Sequence, residues 1–220
     1  METKPRKPAG GRTFGALCRM MREERLQPVT ILLVGINIVI FVLETLAGGS
    51  ENTMVALDFG ALTTDLVLAG EWWRLLTSMF LHFGSSHLAS NMVTLFLFGN
   101  AVESLLGHGR MLALYLASGL AGNVLWLVLE LRETEDTISA GASGAIFGLV
   151  GVYVAMALIP EMRRFVSVRN VIIMLLLNFA YGADNGGINV TAHAGGLIMG
   201  TLMGYIMLRR KLQAGRRNDR

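Results

Sequence analysis

At 220 residues, 53% of them hydrophobic and only 16% charged, the chain departs from soluble composition, in which about a quarter of residues carry charge. Its mean hydropathy is +0.52. The formal net charge of +3 comes from basic residues at the two ends and in short gaps between apolar runs, which points away from a nucleic-acid surface and toward membrane spans with basic flanks.

Residues 1–28 are a basic segment with seven Lys or Arg. Cys18 lies in it and is the sole cysteine, so no intrachain disulfide can form. The apolar run that follows is too long for a cleavable signal and lacks a small-residue cleavage site. A span needs about 20 mostly apolar residues, and six can be drawn, at 29–47, 87–106, 111–131, 140–159, 168–183 and 189–208. Between the first two, residues 48–86 are too long for a plain loop. Within them "TTDLVLAGEWWRLLTSMFLH" predicts an amphipathic helix at the outer interface, with Trp72 and Trp73 at headgroup level. Residues 209–220 form a second basic segment, with six Lys or Arg.

Basic residues collect on the cytoplasmic side of membrane proteins. With the N-terminus inside, 17 of the 19 Lys and Arg fall in cytoplasmic pieces, and only Arg74 and Arg132 lie outside them. The expected fold is an all-α polytopic bundle of six spans with both termini cytoplasmic. Residues 29–208 form the membrane domain, and the basic ends lie against anionic lipid headgroups.

Polar residues inside spans are costly and are functional candidates by default. They are His87 and Asn91 in span two, Asn123 and Trp126 in span three, Ser143 in span four, Asn178 in span five and His193 in span six. Glu44 and Glu103 lie near span ends, where water can reach them. Spans two, four and six all enter from the outer side. A helix rises about 1.5 Å per residue, so Ser143 lies about 5 Å and His193 about 6 Å along their spans, with Asn91 one turn below His87. A serine, two histidines and an asparagine therefore share one depth under the outer surface.

Serine becomes a nucleophile when a base takes its proton, and histidine is the usual base near neutral pH. Attack on an amide creates an oxyanion that needs donors. Asn91, His87 and the backbone N–H of Ser143 can supply them. No acidic residue stands at that depth, which points to a Ser143/His193 dyad. Small residues recur at Ala192, Gly196, Gly200 and Gly204 in span six and at Ala140, Gly144 and Gly148 in span four. Such stripes let helix backbones approach closely. His82 and His87 lack a third ligand, so no metal is expected, and no cofactor is implied. His108, in the inner turn "GHGR", reads as solvated, and "NVT" at 189–191 as an accidental glycosylation match.

These residues together resemble the rhomboid family of intramembrane serine proteases. The resemblance rests on "GASG" around Ser143, "AHAGG" around His193, "HLASN" with His87 and Asn91, "WR" at Trp73 and Arg74, and Glu103 in "FGNAVE". It covers about residues 29–208 and is closest to the basic six-span bacterial type. It implies a serine endopeptidase in the plasma membrane that opens to the extracytoplasmic side and cuts transmembrane segments of other membrane proteins.

The resemblance further implies that Ser143 is the nucleophile, His193 the base, and Asn91 and His87 oxyanion donors. Gly141, Gly144 and Phe147 would support the site or line the substrate pocket. Phe147 stands where some relatives have tyrosine and would pack against His193. His82 would order the outer loop, and span five with "YGADNGG" would form the side gate and cap. Two other readings are a noncatalytic rhomboid-like protein that binds membrane clients and a transporter with a histidine proton path. The presence of both Ser143 and His193 argues against the first. The lack of inverted repeats argues against the second.

Overall fold

The computed structural model describes residues 26–132, 137–169, 171–173 and 189–218. Helix α1 (Pro28–Leu46) starts with proline at a position whose N–H has no helical partner to lose. The connection expected on the outer side holds three short helices, α2 (Thr53–Phe59), α3 (Thr64–Leu68) and α4 (Arg74–Thr77), followed by a 3-10 turn at Ser78–Phe80. The side chains of Asn52 and Thr63 cap the first two of these. The single amphipathic helix expected there is thus broken into pieces. Gly70, at φ +106°, takes a left-handed turn that separates α3 from the two tryptophans, and a helix cannot pass through it. Trp72 and Trp73 themselves are exposed, in keeping with an interfacial position.

Helices α5 (Ser85–Leu106) and α6 (His108–Glu130) are joined through Gly107 alone, and α7 (Ser143–Leu158) and α8 (Val190–Asn218) follow. Among the described residues, three helices are long and apolar enough to cross a membrane: Pro28–Leu46, His108–Glu130 and Val190–Arg217. The 22-residue α5 is long enough but carries His87, Asn91, Asn100 and Glu103. Most of the expected span at 168–183, including Asn178, and the "YGADNGG" segment lie outside the described residues.

Two further expectations need correction. Span four does not begin its helix near residue 140: residues 139–142 are non-helical, and Ser143 is the first residue of α7. With 16 residues, α7 is about 24 Å long. Finally, Glu44 and Glu103 are buried rather than hydrated. Glu103 accepts hydrogen bonds from the N–H groups of Val29 (3.0 Å) and Thr30 (2.7 Å) and from the Thr30 hydroxyl (2.7 Å). It thereby satisfies donors at the start of α1 that no helical carbonyl reaches. His108 is exposed, as expected, and its Nδ1 also lies 2.6 Å from Glu103 Oε1.

The bundle packs α8 against α7 and α6, and α1 against α5. Its core includes Leu95, Met111, Leu114, Leu149 and Met156, all fully buried. The outward face of α1 shows Leu32, Val39 and Leu43, as a lipid-facing helix should. Where α7 meets α8 the contact is backbone on backbone. A methyl group on Gly196 would overlap the carbonyl oxygen of Gly144, and one on Gly200 that of Gly148. The two small-residue stripes therefore do face each other, from Gly144 downward; Ala140 precedes the helix. Overpacking costs about 1–3 kcal/mol where side chains can yield, and a carbonyl cannot. Gly200→Val should cost at least about 3 kcal/mol or prevent folding. Gly35→Ala in α1, with nothing within 4 Å of the added methyl, should be neutral or stabilising by up to about 1 kcal/mol. Thermal denaturation in detergent compares the two.

Candidate active site

The site is framed from the outer connection. Arg74 is buried, and its Nε donates to Glu71 Oε2 at 2.6 Å. Its Nη1 donates to the carbonyl oxygens of Leu57 (2.7 Å) and Ala61 (2.9 Å), and the guanidinium lies 4.6 Å from the Trp73 ring centre. A charge buried this way is satisfied by acceptors from three parts of the loop and ties them together. The Trp73–Arg74 motif is thus a brace of the loop, one step removed from Ser143.

That loop holds the chain entering α7. Leu62 and Ser139 exchange backbone hydrogen bonds of 3.0 and 2.9 Å as an isolated antiparallel bridge. Gly141 N–H donates to the Ser78 carbonyl oxygen at 2.9 Å. Ser78 is fixed in turn by Asn123 of α6, whose Nδ2 donates to Ser78 Oγ (2.9 Å) and to the Leu75 carbonyl oxygen (2.8 Å). Asn123 therefore has a bracing role at this point. Trp126, one turn further along α6, packs with Leu62, Val67 and Ala192. Gly141 has φ +138°, a conformation that L side chains rarely adopt. A Cβ there would also lie 3.0 Å from His87 Cε1, so glycine is required by both backbone and space.

Released from this frame, the chain turns into α7 at Ser143. No side chain caps the helix start, which leaves its first N–H groups free of helical partners at the positive end of the helix dipole. Ser143 Oγ lies 2.7 Å from Nε2 of His193, a residue in the first turn of α8. With serine donating, Nε2 accepts and the neutral ring carries its proton on Nδ1. The buried Nδ1 has no hydrogen-bond partner among the described residues. Phe147, one turn below Ser143, stacks on the His193 ring with centres 4.2 Å apart and planes 11° apart. The stack fixes the ring plane that the 2.7 Å contact needs.

His87 is half-buried and faces the same spot: the position of a Gly141 Cβ is 3.2 Å from His87 Nε2 and 3.7 Å from Ser143 Oγ. Asn91, one turn deeper on α5, is buried, and its Nδ2 has no partner among the described residues. An unpaired buried amide is costly to keep. Ser143, His193, His87 and Gly141 are thus drawn together, with Asn91 on the adjoining face of α5. Gly144 serves the α7–α8 contact.

Sequence reasoning gave too little weight to His82. Its ring meets His87 edge-on, with centres 5.1 Å apart, and both of its nitrogens are buried without a partner among the described residues. It also missed Ser78, Ser139 and Asn189, whose partners are backbone groups or distant hydroxyls. An asparagine directly before an apolar helix is a capping signal, and that signal was present at Asn189.

Sequence comparison assigns the chain to a recognised class of membrane proteins. The Rhomboid domain family model matches residues 69–210, and the chain belongs to the rhomboid family. It is 40% identical over 173 residues to the Rhomboid protease GluP of Bacillus subtilis, an alignment covering 78% of this chain and 33% of that protein. The chain thus spans about a third of GluP. It is 36% identical over 193 residues to the Putative rhomboid protease YdcA of the same organism, covering 85% and 92%. Identity to the Rhomboid protease AarA of Providencia stuartii is 30% over 213 residues, covering 84% and 75%.

Burial holds the His82 imidazole down to about 3, and the neighbouring His87 pushes it the same way. An unfolded histidine titrates near 6.5. Between those values the unfolded chain binds one proton more, so this residue's contribution to stability is present above about 6.5 and is lost as pH falls toward about 3. Thermal midpoints measured across that window should fall with pH, and His82→Leu should flatten the slope.

Proposed function

We propose that the chain is an intramembrane serine endopeptidase that hydrolyses peptide bonds in or near the transmembrane segments of other membrane proteins. The observation that carries this reading is the 2.7 Å approach of Ser143 Oγ to His193 Nε2 under a stacked Phe147. Family membership, and relatives named as proteases, support it.

His193 Nε2 takes the hydroxyl proton as Ser143 Oγ attacks the substrate carbonyl carbon. Negative charge then moves onto the carbonyl oxygen, where the N–H of Ser143, Asn91 Nδ2 and His87 donate to it. Collapse breaks the C–N bond, and His193 returns the proton to the leaving amine. A water molecule, deprotonated by His193, then hydrolyses the Ser143 ester and restores both residues. Because α7 begins at Ser143, the oxyanion also meets the positive end of that helix.

The bundle in this reading has six spans, with residues 29–208 as the protease domain, both basic ends cytoplasmic and the dyad opening to the extracytoplasmic side of a bacterial plasma membrane. The basic flanks support that orientation. Green fluorescent protein fused after residue 220 should fluoresce and alkaline phosphatase fused there should be inactive, and the opposite pair would reverse the orientation.

For the chemistry, protein reconstituted in phospholipid vesicles with a transmembrane substrate is the direct assay. Ser143→Ala or His193→Ala should each lower cleavage by at least about 10³-fold. Asn91→Ala should lower kcat by about 10²-fold, less because other donors remain. Undiminished cleavage by both dyad variants would remove the assignment.

A further inference from the structure

Asn189 immediately precedes α8 and, among the described residues, makes three hydrogen bonds. Its carbonyl oxygen accepts from the N–H of His193 at 3.1 Å, and its Oδ1 accepts from the N–H of Ala192 at 2.8 Å. This is the geometry of a helix N-cap. Its Nδ2 donates to Ser139 Oγ at 2.7 Å. Ser139 is itself buried, is paired on both sides of its backbone with Leu62, and stands four residues before Ser143. One side chain thus joins the segment that presents the serine to the turn that presents the histidine.

The glycine contact between α7 and α8 leaves this task undone. Bare backbone surfaces set how near two helices come, but they offer few side-chain ridges to stop one sliding or turning against the other. A directional bond between the two helix entrances supplies that register. We propose that Asn189 and Ser139 form a positioning clamp that fixes the reach of His193 Nε2 to Ser143 Oγ, an inference that rests on the dyad reading above. Neither residue touches the reacting atoms. Both act through the backbone of the residue that does, and a shift of about 1 Å at such a pair can cost about 10²-fold in rate.

The test uses the full chain in vesicles, with two readouts: cleavage of a transmembrane substrate, and the rate at which a fluorophosphonate probe labels Ser143. Ser139→Ala removes the acceptor and leaves the cap. Asn189→Ser keeps a capping oxygen but is too short to reach Ser139. Each should lower kcat and the labelling rate together by about 10-fold, with KM within about twofold. Ser139→Thr, which keeps the hydroxyl, should restore both rates. The double variant should be no slower than the slower single one, since both remove one bond.

Labelling at the wild-type rate in both single variants would overturn the clamp, as would a double variant slower by the product of the two losses. If Asn189→Ser does not fold, Ser139→Ala set against Ser139→Thr decides the matter alone. Wild-type protein that is not labelled at Ser143 would overturn the dyad and the clamp with it. Wild-type labelling that is lost only in Ser143→Ala, and is unchanged in the clamp variants, would overturn the clamp and leave the dyad standing.

Discussion

Hydrocarbon gives two helices no solvent-driven reason to associate, so what joins α7 to α8 must be the contact itself. That contact is made by backbones: Gly196 on Gly144, Gly200 on Gly148, and Gly204 against Val152. It brings the first turns of the two helices close enough for a serine hydroxyl and a ring nitrogen to meet without any long side chain to bridge them. Helix α6 joins the same arrangement, because a Cβ on Gly195 of α8 would lie 2.8 Å from the Ala121 carbonyl oxygen. Side chains larger than hydrogen along these lines would separate the helices and leave Ser143 and His193 facing a gap. The stacked Phe147 depends on the same approach, since it reaches from α7 to a ring carried by α8.

Around this contact, two sets of buried polar groups lie at opposite ends of the bundle. At the end that holds Ser143, Arg74 braces the outer connection, and that connection in turn holds residues 139–141 through Leu62 and Ser78. At the other end, Glu103 gathers the start of α1 and His108 onto the end of α5. The first set shapes a segment that is neither helix nor loop, and the second closes helix ends. Each spends its hydrogen bonds on main-chain groups that would otherwise be buried without partners.

The features that were legible in the sequence are those written in side chains at fixed spacing. The stripe through Gly196, Gly200 and Gly204 follows from helix pitch alone, whereas the nearness of Ser143 to His193 was reached by counting from a helix start at 140 that the structure does not have. Where α7 begins was not legible, because small residues at 139–142 suit a helix start as well as an extended segment. The decision between the two is made by Leu62 and Ser78, far away in the chain. The same holds for Arg74, whose partners are carbonyl oxygens and so have no sequence signature. Glu103 and Glu44 were misjudged since position near a span end says nothing about what packs over it. The pieces of the outer connection depend on Gly70, a single residue in an otherwise helical pattern.

The brevity of α7 has a bearing on hydrolysis. At about 24 Å it falls short of a hydrocarbon layer about 30 Å thick. The bilayer meets such a mismatch by thinning locally or by admitting polar surroundings at the helix end. The end that carries Ser143 has uncapped N–H groups, so wetting is favoured there, at atoms that in the proposed reaction need a water molecule to complete it. A helix of full length in the same place would carry its serine either into the headgroups or deep into oil. Shortness gives Ser143, the nucleophile of the proposed reaction, the depth of the membrane and the chemistry of its edge.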